Sequence, residues 1–479
     1  MNKSMVRYLL AKLLLIEASL MLVPVIVAFI YHENMRVINS LVITIGILVI
    51  IGLLGVAFKP KNYHVYTKEG LLIVALCWIL WSFFGALPFV LSGQIPSIID
   101  AFFEMVSGFT TTGATIVPDV AVLSHSLLFW RSFAHLIGGM GVLVFALAIM
   151  ENSKNSHLEV MRAEVPGPVF GKVVSKLKET AQILYVIYLS MFAILVVILM
   201  VAGMPAFDSV ITAMGCAGTG GFGVYNDSIA HYNSSLITNI VSIAVLLFGI
   251  NFNLYYFLLL RKFKAFFKDE ELRTYIGIVM IATALIWLNV SGLYPSTGKA
   301  LENSLFEVAN VMTTTGFGVT DLTVWPLFAQ VILLFLMFVG GSAGSTAGGI
   351  KVMRTLILTK IARNQVLSTL YPHRIMTIHI NEQPLDKEIQ HGVLKYLTLY
   401  VFLLLGLTLM LSLDNNNFMV VVSAATSTFN NIGPMLGTSQ TFAIFSPFSK
   451  LLMSFAMIAG RLEIYPMLLL FIPKTWSKY

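Results

Sequence analysis

The chain has 479 residues, 57% of them apolar and only 11% charged, where soluble domains carry about 25% charged residues. With a mean hydropathy of +0.86, this composition excludes an ordinary soluble protein, and apolar runs of 18 or more residues point to a helical bundle rather than a β-barrel. The net charge of +7 is distributed by topology, described below, and is no nucleic-acid signature.

In chain order, residues 8–31 and 37–58 read as two membrane helices joined at His32-Glu33-Asn34. The first run is too long for the core of a signal peptide and lacks a small-residue cleavage site, so a retained helix is expected. A basic loop follows, from Lys59 to Lys68. From there one pattern repeats four times: a long apolar helix, a shorter apolar segment ending in a Gly motif, and a second long helix. The expected long helices are 70–92 and 126–149, then 180–203 and 235–260, then 273–294 and 326–360, then 393–412 and 447–472. The corresponding partition is an N-terminal helix pair (1–69) and four helix–pore–helix repeats (70–175, 176–271, 272–392 and 393–479). Cys77 and Cys216 both lie in apolar segments with no metal-ligand spacing.

The Gly motifs are Gly108-Phe109-Thr110-Thr111-Thr112-Gly113-Ala114, Ala217-Gly218-Thr219-Gly220-Gly221-Phe222-Gly223, Val311-Met312-Thr313-Thr314-Thr315-Gly316-Phe317-Gly318 and Asn430-Asn431-Ile432-Gly433-Pro434. The segments before the first and third, 98–112 and 301–315, are about 22 Å long at 1.5 Å per residue, short of a ~30 Å hydrocarbon core. Re-entrant half-helices are therefore expected. Glu104 and Glu307 each stand nine residues before the motif glycine, a shared register that argues for internal repetition. One Thr-Thr-Thr-Gly alone could be a loop or a helix-packing motif. Four copies in one register predict segments that meet around an axis as an ion-selectivity filter. Glycine tolerates the backbone that turns successive carbonyls inward. Carbonyl rings replace a cation's water without a trapping charge, and no acidic residue lies within the four core motifs.

Charge bias sets orientation. With the motifs on one side, 25 of the 30 Lys and Arg residues fall on the opposite side: in the termini and in 59–68, 151–178, 261–273 and 351–395. The motif side holds Arg36, Lys299 and Lys450. Positive-inside then puts both termini in the cytoplasm and the motifs outside. The predicted fold is all-α and polytopic, with ten transmembrane helices and four re-entrant pore loops; the pseudo-fourfold, potassium-channel-like arrangement is what the resemblance given below implies.

Gly340-Gly341-Ser342-Ala343-Gly344-Ser345-Thr346-Ala347-Gly348-Gly349 interrupts the second helix of the third repeat with residues of poor helix propensity. A loop beneath the filter or a close helix-packing seam would each use such a run. Arg461 is deep in a span, where a charge costs at least about 2.5–3.5 kcal/mol and faces a partner or a cavity. The readings are a salt bridge with Glu104 or Glu307, or a positive charge limiting passage through the pore. The segment Arg261-Lys262-Phe263-Lys264-Ala265-Phe266-Phe267-Lys268 reads as an interface anchor or as a docking surface. Gly218 to Gly223 fits a dinucleotide-binding pattern formally but lacks its strand–turn–helix context. His135 reads as a satisfied packing residue. No constellation suggests an enzyme, so a polytopic membrane enzyme is the weaker class.

These motifs, together with Gly340 to Lys351 and Gly460-Arg461-Leu462-Glu463, resemble TrkH/TrkG-type potassium uptake proteins of the Trk/Ktr/HKT superfamily over essentially the whole chain. The extra helix pair at 8–58 is similar to the Trk branch. The resemblance implies a bacterial inner-membrane protein and a filter built on Gly113, Gly221, Gly316 and Gly433. Its ion-facing carbonyls would come from these and from Thr111, Thr112, Thr219, Gly220, Thr314, Thr315, Asn431 and Ile432. It further implies potassium as the transported ion, 340–349 as a gating loop and Arg461 as the pore barrier. The implied assembly is a homodimer with a cytosolic TrkA-type regulatory subunit that binds NAD(H) or ATP/ADP. A sodium-coupled or sodium-permeant transporter is the alternative within the class.

Overall fold

The computed structural model describes residues 2–63, 65–141, 177–371, 373 and 377–476, without the side chains of 67 and 177–181. Residues 142–149 of the expected helix 126–149 and most of the basic stretch 151–178 lie outside the described residues.

The first helix, Lys3–Leu20, resumes after Met21 as Leu22–Ile30. Pro24 has no N–H to give the carbonyl of Leu20, which places the irregularity one turn before it. Met35–Ala57 starts where Asn34 accepts the Arg36 N–H at 3.0 Å. It packs closely on the first helix: a Cβ on Gly55 would overlap Ala11, and one on Gly52 would meet Leu15 at 2.6 Å. Small residues let the two backbones approach in this way.

Four long outer helices follow: Thr67–Ser92, Leu177–Val201, Glu270–Val290 and Lys387–Leu411. Together with the N-terminal pair they account for the six helices that, among the described residues, are long and apolar enough to cross a membrane. Each outer helix precedes a short helix: Ile98–Phe109, Ala206–Gly218, Thr297–Met312 or Phe418–Asn430. At 12 to 16 residues, these reach only about 18–24 Å. Their starts are local: Ser97, Ser296 and Asn417 cap backbone N–H groups, and Pro205 opens the second.

The inner helices depart from expectation. Instead of unbroken spans they are His125–Gly139, Ser235–Phe248, Leu327–Val339 and Pro447–Arg461, of 13 to 15 residues. The second resumes as Phe252–Leu259 after a 92° bend, the third as Val352–Leu370, and the fourth as Tyr465–Leu469. The break expected only in the third repeat therefore recurs in the second and fourth, and the first inner helix stops at a left-handed Gly141 with φ +78°. One two-stranded hairpin, His379–Ile380 with Gln383–Pro384, departs from the all-α expectation. Its turn residues Asn381 and Glu382 are both at positive φ, and Asn381 is tied to the start of an outer helix through Glu270 and Asp269. Three buried apolar clusters surround the ends of the short helices: one joins the N-terminal pair to the first and fourth repeats, and the others are centred on the second and third.

Candidate functional site

All four short helices end the same way. Thr111, Thr219, Thr314 and Asn431 sit in the left-handed region at φ +54° to +57°. The next residue donates its N–H to the carbonyl five positions back: Thr112 to Ser107, Gly220 to Gly215, Thr315 to Asn310, and Ile432 to Ser427, at 2.8 to 2.9 Å. This is a Schellman-type cap with Thr or Asn where glycine is usual. A left-handed glycine follows each time, at φ +72° to +107°: Gly113, Gly221, Gly316 and Gly433. The shared geometry puts Gly221, not Gly220, in register with the others.

The four triplets close on one another in chain order. A Cβ on Gly113 would overlap the Gly220 carbonyl oxygen, one on Gly221 that of Thr315, and one on Gly316 that of Ile432. One on Gly433 would lie 2.7 Å from that of Thr112. Each glycine thus faces the carbonyl preceding the glycine of the next repeat, and the fourth returns to the first. Among the described residues, none of the carbonyls of Thr111, Thr112, Thr219, Gly220, Thr314, Thr315, Asn431 or Ile432 accepts a hydrogen bond. Buried carbonyls require a partner, and those of Thr112, Gly220, Thr315 and Ile432, which face the glycine of a neighbouring repeat, are acceptors of the kind that can supply oxygen to a cation.

The surrounding side chains hold this backbone. Glu104 accepts from the Ile116 N–H at 2.9 Å and from Thr115 Oγ1. Its counterpart Glu307 accepts from the Val319 N–H at 3.1 Å, and in the fourth repeat Ser423 Oγ accepts from Leu436 N–H at 2.9 Å. Each restrains the residue three positions after the motif glycine. Paired hydroxyls brace two motifs from behind, Thr110 with Thr112 and Thr313 with Thr315, both at 2.8 Å. Asn431 Nδ2 reaches Thr112 Oγ1 at 2.9 Å and ties the fourth motif to the first.

Beneath the ring lies the 340–349 segment, irregular as expected of a loop rather than a helix seam. Gly340, Gly344 and Gly349 take φ of +70° to +78°. Gly348 N–H donates to Thr314 Oγ1 at 2.6 Å and Gly349 N–H to the Asn430 carbonyl at 3.1 Å. Ser342 N–H donates to the Gly249 carbonyl and Phe252 N–H to the Gly344 carbonyl, each at 3.0 Å. Ala343 N–H bonds Glu271 Oε1 at 2.6 Å, Ser345 Oγ donates to the Ser342 carbonyl at 2.6 Å, and Thr346 Oγ1 donates to the Phe248 carbonyl. A Cβ on Gly341 would meet Ala347 at 2.5 Å.

Arg461, the last residue of the fourth inner helix, reaches across this space. Its guanidinium donates to the carbonyls of Thr346 at 2.7 Å, Gly138 at 2.6 Å and Gly139 at 2.7 Å. It therefore joins the loop to the end of the first inner helix. The expected alternative, an ion pair with Glu104 or Glu307, is not formed: Glu104 pairs with Arg131 at 2.7 Å, both fully buried. Close by, Glu463 pairs with Arg354 at 2.5 Å, and the buried Lys351 donates its Nζ to the Ala347 carbonyl.

A family model described as a cation transport protein, TrkH, matches residues 34–478. The Trk system potassium uptake protein TrkH of Salmonella typhimurium is 33% identical over 476 residues, covering 97% of this chain and 98% of that protein. The chain belongs to the TrkH family. TrkG of Escherichia coli is 32% identical over 467 residues, covering 95% of each. The crystal structure of the potassium transporter TrkH from Vibrio parahaemolyticus superposes with a TM-score of 0.89 at 30% identity, covering both chains completely.

The places that several residues take around the ring of this TrkH-family chain were not legible in the sequence. His135 is a satisfied packing residue, as expected, but its position is behind the ring. Nδ1–H donates to the Gly108 carbonyl at 2.7 Å, Nε2 accepts from Phe222 N–H at 3.4 Å, and the ring stacks on Phe222. Arg131, one turn away on the same face, lies 3.9 Å over Phe222. Glu271 accepts from both Ala343 N–H and Met353 N–H, so one buried carboxylate holds the loop and the start of the next helix. The available signal was an acidic residue at the head of an apolar helix, which also fits ordinary N-terminal charge preference.

Proposed function

We propose that the chain carries potassium across a bacterial inner membrane along the axis ringed by the four triplets. The observation that carries this reading is the closed ring, in which each glycine makes room for the carbonyl of the next repeat. Carbonyls of Thr111, Thr112, Thr219, Gly220, Thr314, Thr315, Asn431 and Ile432, with those of the four glycines, replace the hydration shell of a monovalent cation. The short helices direct their partly negative C-terminal ends toward it. Ten membrane crossings, with the broken inner helices counted as spans, carry four re-entrant loops. Both termini face the cytoplasm by charge bias.

In this reading the 340–349 loop is the gate. It occludes the path below the ring, and Arg461 adds a positive charge that latches the loop and opposes cation passage. The protein acts as a homodimer with one pore per protomer. A cytosolic, nucleotide-binding TrkA-type partner drives the gate by docking on the basic face that includes 261–268.

The test is rubidium-86 uptake into potassium-loaded proteoliposomes containing only this chain. Caesium should compete and sodium should not. In Gly316→Ser, a Cβ falls on the Ile432 carbonyl and φ is +82°, so the ring must shift and sodium should begin to compete. An unchanged competition pattern in Gly316→Ser removes Gly316 from the filter. If neither the wild type nor a variant lacking residues 343–347 takes up rubidium, the filter assignment fails.

A further inference from the structure

Between Lys3–Leu20, Met35–Ala57 and Thr67–Ser92 is a groove of about 480 Å³, lined also by Trp476. Its walls are apolar down to Leu14 and Phe84. Leu14 is eleven residues beyond Lys3, so the groove runs about 16 Å along the helix axis.

Its mouth is basic. Lys3 and Arg7 line it and both are exposed. The loop bearing Lys59 and Lys61 is held beside it by Asn2 Nδ2 donating to the Asn62 carbonyl at 2.8 Å. Lys68 Nζ bonds the Lys474 carbonyl at 2.5 Å and brings two more cations to that end. Among the described residues, no carboxylate forms an ion pair with Lys3 or Arg7. Glu69, the acidic residue of that end, is buried and accepts from the N–H groups of Asn2 and Tyr66 instead. Arg7 Nη2 donates to the Phe58 carbonyl at 2.9 Å, which leaves most of its five donors for a further acceptor.

We propose that this groove is a binding site for one anionic phospholipid: an acyl chain lies between the helices, and the phosphate meets Lys3 and Arg7. Charge complementarity selects the occupant, because the groove joins an apolar channel at membrane depth to a cluster of cations at the interface. Basic pockets between membrane helices favour anionic headgroups in this way, and a tryptophan at the rim suits the interfacial layer. The proposal does not depend on which ion the protein carries.

Native mass spectrometry of the full chain in detergent, titrated with phosphatidylglycerol or phosphatidylcholine, tests it. The expected result is one tightly held phosphatidylglycerol per protomer and no comparable phosphatidylcholine. Lys3→Gln combined with Arg7→Gln should weaken phosphatidylglycerol binding roughly 30-fold, from the attraction of two interfacial charges. Leu80→Trp, which fills the groove from the outer helix, should abolish binding with both charges retained. Equal retention of the two lipids, or unchanged binding in either variant, overturns the proposal. So does loss of a dimer without loss of lipid in Leu80→Trp, which would make the groove a contact between copies. Far-ultraviolet circular dichroism and a single size-exclusion peak verify that each variant is folded.

Discussion

Replacing Arg461 with alanine tests the loop directly. Among the described residues the guanidinium donates to three carbonyls, and the bond to Thr346 joins it to the 340–349 loop. The other two cap the end of the first inner helix. Hydrogen bonds to charged groups contribute about 1.5–3 kcal/mol each. If the loop closes the path, losing the Thr346 bond raises the conducting fraction roughly 10- to 100-fold, provided that fraction is small to begin with. In the proposed reading the substitution also removes a positive charge from the path, which would act in the same direction. Losing the Gly138 and Gly139 bonds instead lowers stability, so the thermal midpoint should fall as flux rises. Arg461→Lys keeps the charge but lacks a planar fork to span three carbonyls, and should give intermediate flux. The assay is the initial rate of rubidium-86 uptake in proteoliposomes at matched protein content. Wild-type rates in a well-folded Arg461→Ala would refute the latch.

Glu271→Gln exchanges a carboxylate for an amide oxygen against the N–H groups of Ala343 and Met353. Each bond weakens from the charged to the neutral range, about 1 kcal/mol apiece. Hydrogen exchange over 340–353 should quicken at least several-fold, and unchanged exchange would show that Glu271 does not restrain the loop. Breaking the buried Arg131–Glu104 pair by Glu104→Gln or Arg131→Leu should cost about 3–5 kcal/mol, because the remaining group is left buried without its partner. The double variant Glu104→Gln/Arg131→Met, which keeps an acceptor for the Ile116 N–H, should recover much of that loss. Thermal unfolding in detergent measures both, and single variants as stable as the wild type would contradict the assignment. Gly316→Ser, described above, reads out on selectivity rather than on rate.

The elements that were legible in the sequence are those whose causes are local. Hydropathy marks the N-terminal pair and the outer helices because a membrane span needs a continuous apolar run. The motif triplets were legible because their left-handed glycines and their caps involve only neighbours in the chain. The matched spacing of Glu104 and Glu307 was also local in origin, since each carboxylate closes a short loop onto Ile116 or Val319, twelve residues away.

The tertiary structure decided the rest. Gly249 to Asn251 breaks an apolar run without a proline. The bend is held by Ser342 N–H on the Gly249 carbonyl and by the Gly344 carbonyl on Phe252 N–H, partners from another repeat. Arg461 finds carbonyls 115, 322 and 323 residues away, and Glu271 reaches 72 and 82 residues along the chain. Bonds to main-chain atoms leave no pattern in residue type, because every residue has a carbonyl. Glycines at left-handed positions were therefore readable from the sequence, whereas the carbonyl facing each of them was set only when four repeats closed around one axis.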